Sequence, residues 1–371
     1  MEILLEEFYR QDLHSANYTE RRYQLDDETS YQLTGITLSG KTAIVKNALL
    51  QHKKSHYLYI DCNDLRIDIE ELNTILFRFC NQNDISILAL DNYKPEIQLP
   101  KVKQLIIASN HYNEFKELTH LKVYPLNYEG FLAFEQRFDD TAISHFFQLG
   151  GFPFMHRIPS EERVVYLQEH LQYKLNDISF DLLRLSTQFT SQKVSAFTLY
   201  ERLKQQRKIS KDKLYKHFET LVEDGYLYML EKYQAPKAVK KLYLCDIAIK
   251  NVLSPQKHFG RLFENIIYLE MIKGGFEVYY DESIDFYIPE QNRIIIPQPF
   301  GNDETLFKLV EKLEAFIITH GVKRVEVVTM SSEASLHHPF VEVAMEPFNV
   351  WALSEGEVDE NVFSGLSGLF S

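Results

Sequence analysis

Tyr31 to Gln51 reads YQLTGITLSGKTAIVKNALLQ, and the fold turns on this stretch. A short apolar approach meets Gly35, four residues follow, and Gly40, Lys41 and Thr42 open a run with helical spacing, which spells G-x-x-x-x-G-K-T. In such a loop the glycines let consecutive backbone N–H groups turn around phosphate oxygens, and the new helix aims its N-terminus at them. The lysine reaches the terminal phosphates and the threonine offers an oxygen to Mg2+. Gly35, Ser39, Gly40, Lys41, Thr42 and Ala43 are therefore the candidate phosphate-binding residues, and ATP with Mg2+ is the implied ligand. Thr42 is also a candidate metal ligand. Ile44, Val45, Ala48 and Leu49 supply the apolar face of the helix that follows.

Working outward, HYLYIDCNDLR is an apolar run of strand length that ends in acids, which suits the next strand of a βαβ unit. Two readings of Asp61 and Asp64 are open: the edge of the nucleotide site, or an ordinary turn. A further strand, DISILALDNYKP, ends at Asp91, and a carboxylate at the end of a buried strand is how such loops hold the magnesium hydration shell. Asp91 is thus both a candidate catalytic residue and a candidate metal-site residue. Its neighbour Asn92 carries an amide, which cannot accept a proton from an attacking water. The strand KQLIIAS leads to Ser109, Asn110 and His111, and Asn110 is the candidate catalytic residue that senses the γ-phosphate, with Ser109 the alternative.

The order of these pieces resembles prokaryotic AAA+ superfamily P-loop ATPases with a winged-helix segment and a C-terminal restriction-nuclease-like domain of unknown function. The resemblance covers nearly the whole chain and rests on GITLSGKT at 35–42, ISILALD at 85–91 and LIIASN at 105–110. It continues through YPLNYEGFLAF at 124–134, GGFPF at 150–154, KLYLCD at 241–246 and FGRLFENIIYLEM at 259–271. It implies an ATPase core, a lid region after YPLNYEGFL, and ATP-driven work on some target. Two departures matter. The loop between the glycines reads ITLS where an arginine or other polar residue is common, and Asn92 stands where the family places a glutamate, so hydrolysis is expected to be weak or conditional.

From Ser191 to Gly260 the chain has 14 Lys and Arg against 7 Asp and Glu, a local excess of +7 in a chain of net charge −13. FTLYERLKQQ, ISKDKLYKHFETLVEDGYLYML and VKKLYLCD read as helix, helix and two-stranded wing, with Ser210 as N-cap and Gly225 closing the second helix. Leu214, Phe218, Leu221 and Val222 take core spacing, which leaves Lys211, Lys213, Lys216 and His217 for exposed faces. Such a helix can enter a major groove while lysines meet phosphates, which makes DNA a candidate partner. The other reading is a packing or assembly module that contacts a protein partner or a second copy of the chain. His156, His170, His217 and His258 are too dispersed to suggest a metal cluster.

In the C-terminal third a helix carries Glu264 and the following strands place Asp285 beside a hairpin, which resembles the nuclease-like domain. A metal-dependent nuclease also needs a lysine two residues after an acid or glutamine. Gln298 is followed by Pro299 and Phe300, so nuclease activity is not expected, and Glu264 with Asp285 reads as a polar pair or as surface charge. ETLFKLVEKLEAFIITHGVKRVEVVTM gives an amphipathic helix, a glycine turn and a strand, and Trp351 with Leu353 is expected to finish another strand. From about 355 the acidic, Ser/Gly-rich end reads as a flexible tail, or as a partner contact through Phe363, Leu366 and Phe370.

At 371 residues and 45% hydrophobic content the chain has material for several cores. Three cysteines, Cys62, Cys80 and Cys245, exclude a disulfide framework. The acidic opening MEILLEEFYRQDLH and the lack of any apolar run approaching a membrane span lead us to expect a cytoplasmic protein without a membrane partner. The expected class is α/β: a P-loop NTPase sheet at 1–145, a helical lid and winged-helix region at 146–258, and a nuclease-like α/β domain at 259–354.

Overall fold

The computed structural model describes residues 1–14, 19, 21–139 and 141–354, so the tail from 355, with Phe363, Leu366 and Phe370, lies outside the described residues. The chain divides at Pro125 into two units. The first runs α1 (Glu2–Arg10), β1 (Tyr31–Thr34), α2 (Lys41–Leu49), β2 (Tyr57–Asp61), α3 (Ile69–Gln82), β3 (Ile87–Asp91), β4 (Gln104–Ser109) and β5 (Thr119–Lys122). Its five strands form a parallel sheet in the order β2-β3-β4-β1-β5.

Successive strand side chains alternate between faces, and the cores follow that period. Leu33, Tyr57, Tyr59, Ile87, Ala89, Ile106 and Ala108 pack with Ile44, Val45 and Leu49 of α2. Leu58, Ile60, Leu88, Leu90, Leu105 and Ile107 face the other way, against Leu5 and Phe8 of α1 and Leu72, Leu76 and Phe79 of α3. The connection from β1 crosses β4 and β3 to reach β2, whereas that from β4 crosses β1 to reach β5. Neighbours whose connections leave in opposite directions open a crevice at their C-terminal ends, where ligands bind in parallel α/β sheets.

The second unit begins with α4 (Tyr128–Glu135), α5 (Thr141–Leu149), α6 (Arg163–Lys174) and α7 (Asp177–Ser186). Then come β6 (Gln192–Lys193), α8 (Ala196–Lys204), α9 (Lys211–Glu223), β7 (Leu227–Leu230) and β8 (Lys241–Leu244), whose strands pair in the order β6-β8-β7. This is the winged-helix arrangement. Asn176, Ser195 and Ser210 cap α7, α8 and α9 through their side chains, and Gly225 leaves α9 at a φ of +77°. His217 is half-buried and its ring bonds the Ser179 hydroxyl at 2.9 Å, so it belongs to the α7–α9 packing rather than to the exposed face.

The chain ends in α10 (Ile247–Leu253), α11 (Phe259–Lys273), β9 (Phe286–Ile288), β10 (Arg293–Pro297), α12 (Asp303–His320), β11 (Arg324–Thr329), β12 (Ala334–His337) and β13 (Glu342–Pro347). These strands form a mixed sheet, β12-β13-β11-β10-β9. Phe263, Ile266 and Ile267 of α11 cover one face with Phe286, Ile295 and Val328, and Leu306, Val310, Leu313 and Ile317 of α12 cover the other with Ile294, Ile296 and Val325. The strand expected at Trp351 is instead helical over 348–354. Phe348, Trp351 and Ala352 repeat at i, i+3 and i+4, which buries all three from a helix, and the Trp351 indole N–H donates to Glu326 at 2.8 Å. Among the described residues no helix is long and apolar enough to cross a membrane.

Three of the sequence stretches and Lys273, just beyond a fourth, close on one node. The Leu126 N–H donates to Gly151 O at 2.7 Å, the Gly151 N–H to Asp246 Oδ2 at 2.7 Å, and Lys273 Nζ to Leu126 O at 2.8 Å. Gly151 has room for no side chain, because a Cβ there would stand 2.3 Å from Leu126 O.

Candidate functional site

The ends of β1, β3 and β4 each deliver one part of the site. After β1 the chain turns through Gly35 at a φ of +147°, where a Cβ would lie 2.1 Å from Val123 O, so only glycine fits. Leu38 and Gly40 also take positive φ, at +64° and +97°, which curls the loop before α2 begins at Lys41. No side chain caps α2. A helix start of this kind directs its first N–H groups and the positive end of its dipole at whatever anion lies before it. The Ser39 hydroxyl is buried with no hydrogen-bond partner among the described residues, whereas the Ala43 N–H is turned onto Gly40 O at 3.1 Å.

Lys41 is 8% exposed, and its amine lies along the loop rather than in solvent. It donates to Gly35 O at 2.5 Å, Ile36 O at 3.0 Å and Asn110 Oδ1 at 3.1 Å, which brings the end of β4 to the loop. Ser109 does not take that position; its hydroxyl donates to His111 O at 2.6 Å.

Asp91, at the end of β3, accepts on Oδ2 from the Thr42 hydroxyl at 2.5 Å and from the Tyr59 hydroxyl at 2.9 Å. Its Oδ1 accepts from the Asn92 N–H at 3.0 Å. Burial pushes the Asp91 carboxyl above the usual range and the charge of Asp61 adds to this, while the Thr42 and Tyr59 hydrogen bonds and Lys41 oppose it. Burial and the neighbouring Asp91 raise the Tyr59 phenol, which keeps it a donor. A buried carboxylate held beside a threonine hydroxyl at a helix start is the donor set that a hydrated divalent cation fits. The uncapped helix start, the buried amine and the unpartnered Ser39 hydroxyl suit a phosphate chain in the same place.

Asp61 ends β2 in register with Asp91. Its Oδ1 accepts from Asn92 Nδ2 at 2.9 Å and from the Asn63 N–H at 3.0 Å. Asp64 is not drawn in: its carboxylate is held by Arg66, at 2.7 Å for the closer ion pair, and Arg66 also binds Glu7. Two residues of the site escaped the sequence reading. Tyr59 had a signal, since alternation along β2 aims it at α2. Arg21 had none; it donates to Ser39 O at 2.5 Å and Tyr124 O at 2.7 Å, tying the loop to the end of the unit.

In the second unit Arg137 bonds the His145 ring at 3.0 Å. Glu264 and Asp285 do approach one another, with Lys241 between them: its amine donates to Glu264 Oε1 at 3.1 Å and Asp285 Oδ1 at 2.9 Å, and Tyr243 also donates to Glu264 at 2.7 Å. An ammonium already stands where two acids would hold an ion, so these residues do not fit a divalent metal. Among the described residues no group of His, Cys, Asp and Glu forms a metal cluster.

No protein-family model matches the chain. It is similar to an uncharacterized protein of Methanocaldococcus jannaschii, 23% identical over 390 residues that span 86% of this chain and 87% of the relative. Among solved structures it is similar to the ORC1 protein of Aeropyrum pernix in complex with DNA, at 14% identity and a TM-score of 0.32, over 63% of this chain and 88% of that one. A likeness so loose carries neither activity nor partner to this chain. What stands on its own is an α/β unit with a loop-and-helix crevice at its switch point, followed by a unit that contains a winged helix.

Proposed function

We propose that the first unit binds ATP with Mg2+ in the manner of AAA+ type proteins, with weak or conditional hydrolysis coupled to a target met through the second unit. The observation that carries this reading is the convergence of Lys41, Thr42, Asp91 and Asn110 from three sequence segments on one loop. Gly35, Ser39, Gly40, Lys41 and Thr42 are read as the phosphate cradle, Thr42 and Asp91 as the residues that hold Mg2+ and its water, and Asn110 as the side chain that meets the γ-phosphate. The bound ion would neutralise charge on the terminal phosphates. Ala43 contributes less than its position in the motif suggests, because its N–H is already used within the helix.

The runner-up is a nucleotide-gated DNA-binding or protein-interaction module without useful hydrolysis, favoured by Asn92 in place of a carboxylate. The nuclease-like reading of the last domain gains no metal site from Glu264 and Asp285, since Lys241 occupies that acidic pair. Calorimetric titration with Mg2+-ATP, beside Lys41→Ala and with phosphate release measured on the same preparation, tests the site. Saturable binding weakened at least about tenfold by Lys41→Ala is expected, the loss of one charge-assisted contact of about 1.5–3 kcal/mol. Equal binding by both proteins would sink the proposal, and tight binding with no release would favour the gated module.

A further inference from the structure

We infer that Asp61 is the proton acceptor for the attacking water, a role the amide of Asn92 cannot fill, and that Asn92 is the positioning residue that aims it. This rests on the reading of the site as a nucleoside-triphosphate site. Alternation along β2 sets Tyr57, Tyr59 and Asp61 on one face, and along β3 it sets Ile87, Ala89 and Asp91 on the same face. That face is the one α2 covers, and Tyr59 reaches across it to Asp91. Asp61 and Asp91 are register partners on adjacent strands, so their Cα atoms are about 4.8 Å apart. Asp61 therefore stands at the C-terminal end of the sheet, on the side of the phosphate loop, one strand beyond the residue that holds the metal's water.

Its orientation is fixed from two sides. Asn92 takes a positive φ of +52°, which turns its side chain from the end of β3 onto Asp61. Asn92 Nδ2 and the Asn63 N–H both bind Oδ1, and no partner of Oδ2 is found among the described residues. A carboxylate anchored through one oxygen presents the other in a set direction, which is what a general base requires. Asn63 alone would explain an ordinary turn. It would not explain why the residue after Asp91 spends its amide on the neighbouring strand.

In the step so assigned, the water oxygen bonds to the γ-phosphorus as one of its protons passes to Asp61 Oδ2. The bond from that phosphorus to the bridging oxygen breaks, and its electron pair stays on the departing diphosphate. Inorganic phosphate leaves, and the proton on Asp61 is released to solvent.

Asp61→Asn tests this, because the amide oxygen keeps the contacts to Asn63 and Asn92 and loses only the ability to take a proton. Mg2+-ATP affinity by calorimetry is expected to stay within about threefold, while single-turnover hydrolysis falls about a hundredfold or more. After gel filtration of the loaded protein, wild type is expected to carry ADP and Asp61→Asn to carry ATP. Asp64→Asn, on the half-buried acid paired with Arg66, is expected to match wild type in both assays. If wild type binds ATP and hydrolyses it but Asp61→Asn does so within threefold, or if wild type binds ATP and never hydrolyses it, the assignment of Asp61 fails and the nucleotide site stands. If wild type binds no nucleotide, both fail.

Discussion

Asp246 is 1% exposed and caps α10, with Oδ1 accepting from the Ala248 N–H at 2.8 Å and Oδ2 from the Gly151 N–H at 2.7 Å. The fit is tight: a Cβ on Gly150, which has a φ of +71°, would stand 1.9 Å from Asp246 Oδ1. The GGFPF and KLYLCD stretches are thus explained by packing within the second unit, not by chemistry at the phosphate loop. Burial lifts the Asp246 carboxyl to about 6 against an ordinary 3.8, with the Lys273 charge and the two N–H donors pulling the other way. A carboxyl raised on folding holds its proton longer in the native state than in the unfolded chain. Native protein then binds more protons between about pH 4 and 6, so its contribution to stability is complete below pH 4 and is lost as pH rises to 6. At about 1.4 kcal/mol per unit the loss is on the order of 3 kcal/mol. Asp246→Asn does not titrate, so the stability difference between wild type and variant, read from urea midpoints, is expected to shift against wild type by a few kcal/mol over that window. A difference that stays constant with pH would show that Asp246 does not titrate there.

At the scale of elements, local pattern was readable and long-range pairing was not. Gly35, Gly40 and the apolar period of α2 lie within one short stretch, so the loop and helix were legible, and Asp91 and Asn110 stand at strand ends, in contact with Thr42 and Lys41. The helix over 348–354 was misread because a short apolar run does not distinguish the two periods. Lys241 was invisible as a partner of Glu264 because β8 and α11 approach only in the folded second unit. These four residues bind three elements together: β8 supplies Lys241 and Tyr243, α11 supplies Glu264, and Asp285 precedes β9. Burial lowers the Lys241 amine, but the two carboxylates outweigh it and hold the amine above its ordinary range. Lys241→Met would leave Glu264 buried beside an apolar chain, at a cost of about 3–5 kcal/mol. Lys241→Met with Glu264→Gln is expected to regain more than half of that in urea unfolding, since no buried charge is then stranded. Equal destabilisation by the single and double variants would mean that packing of the lysine stem, not charge, is what matters.

Across the whole molecule the net charge of −13 conceals the basic stretch from Ser191 to Gly260, and the fold spends much of that excess internally. Lys193 and Lys232 pair with Glu282 at 3.3 and 2.7 Å, Lys240 with Glu231 at 2.5 Å, and Arg207 with Asp181 at 2.6 Å. Lys241 serves the acidic pair Glu264 and Asp285, and Lys250 is buried with its amine on Thr187 O at 2.7 Å. The wing is also tied down, since the Tyr233 N–H donates to Tyr280 O at 2.8 Å and its ring packs edge-on against Tyr279 and Tyr287. Along α9 the exposed ridge reads Asp212, Lys216, Glu219, Glu223, at spacings of four, three and four. Lys211 and Lys213 are exposed beside that ridge, so the open surface of α9 carries three bases and three acids, which gives a phosphate backbone little net attraction. Duplex DNA is therefore expected to bind weakly. Each neutralised phosphate contributes about −0.9 to the slope of log K against log salt, so Lys211, Lys213 and Lys216 together could supply a slope of about −3 at most. Fluorescence anisotropy with a labelled duplex across roughly 50 to 200 mM salt measures it. A slope near −6 or steeper would require exposed basic residues beyond α9 as well, such as Arg202, Lys204 and Lys208, and would return α9 to the role of a groove-entering helix.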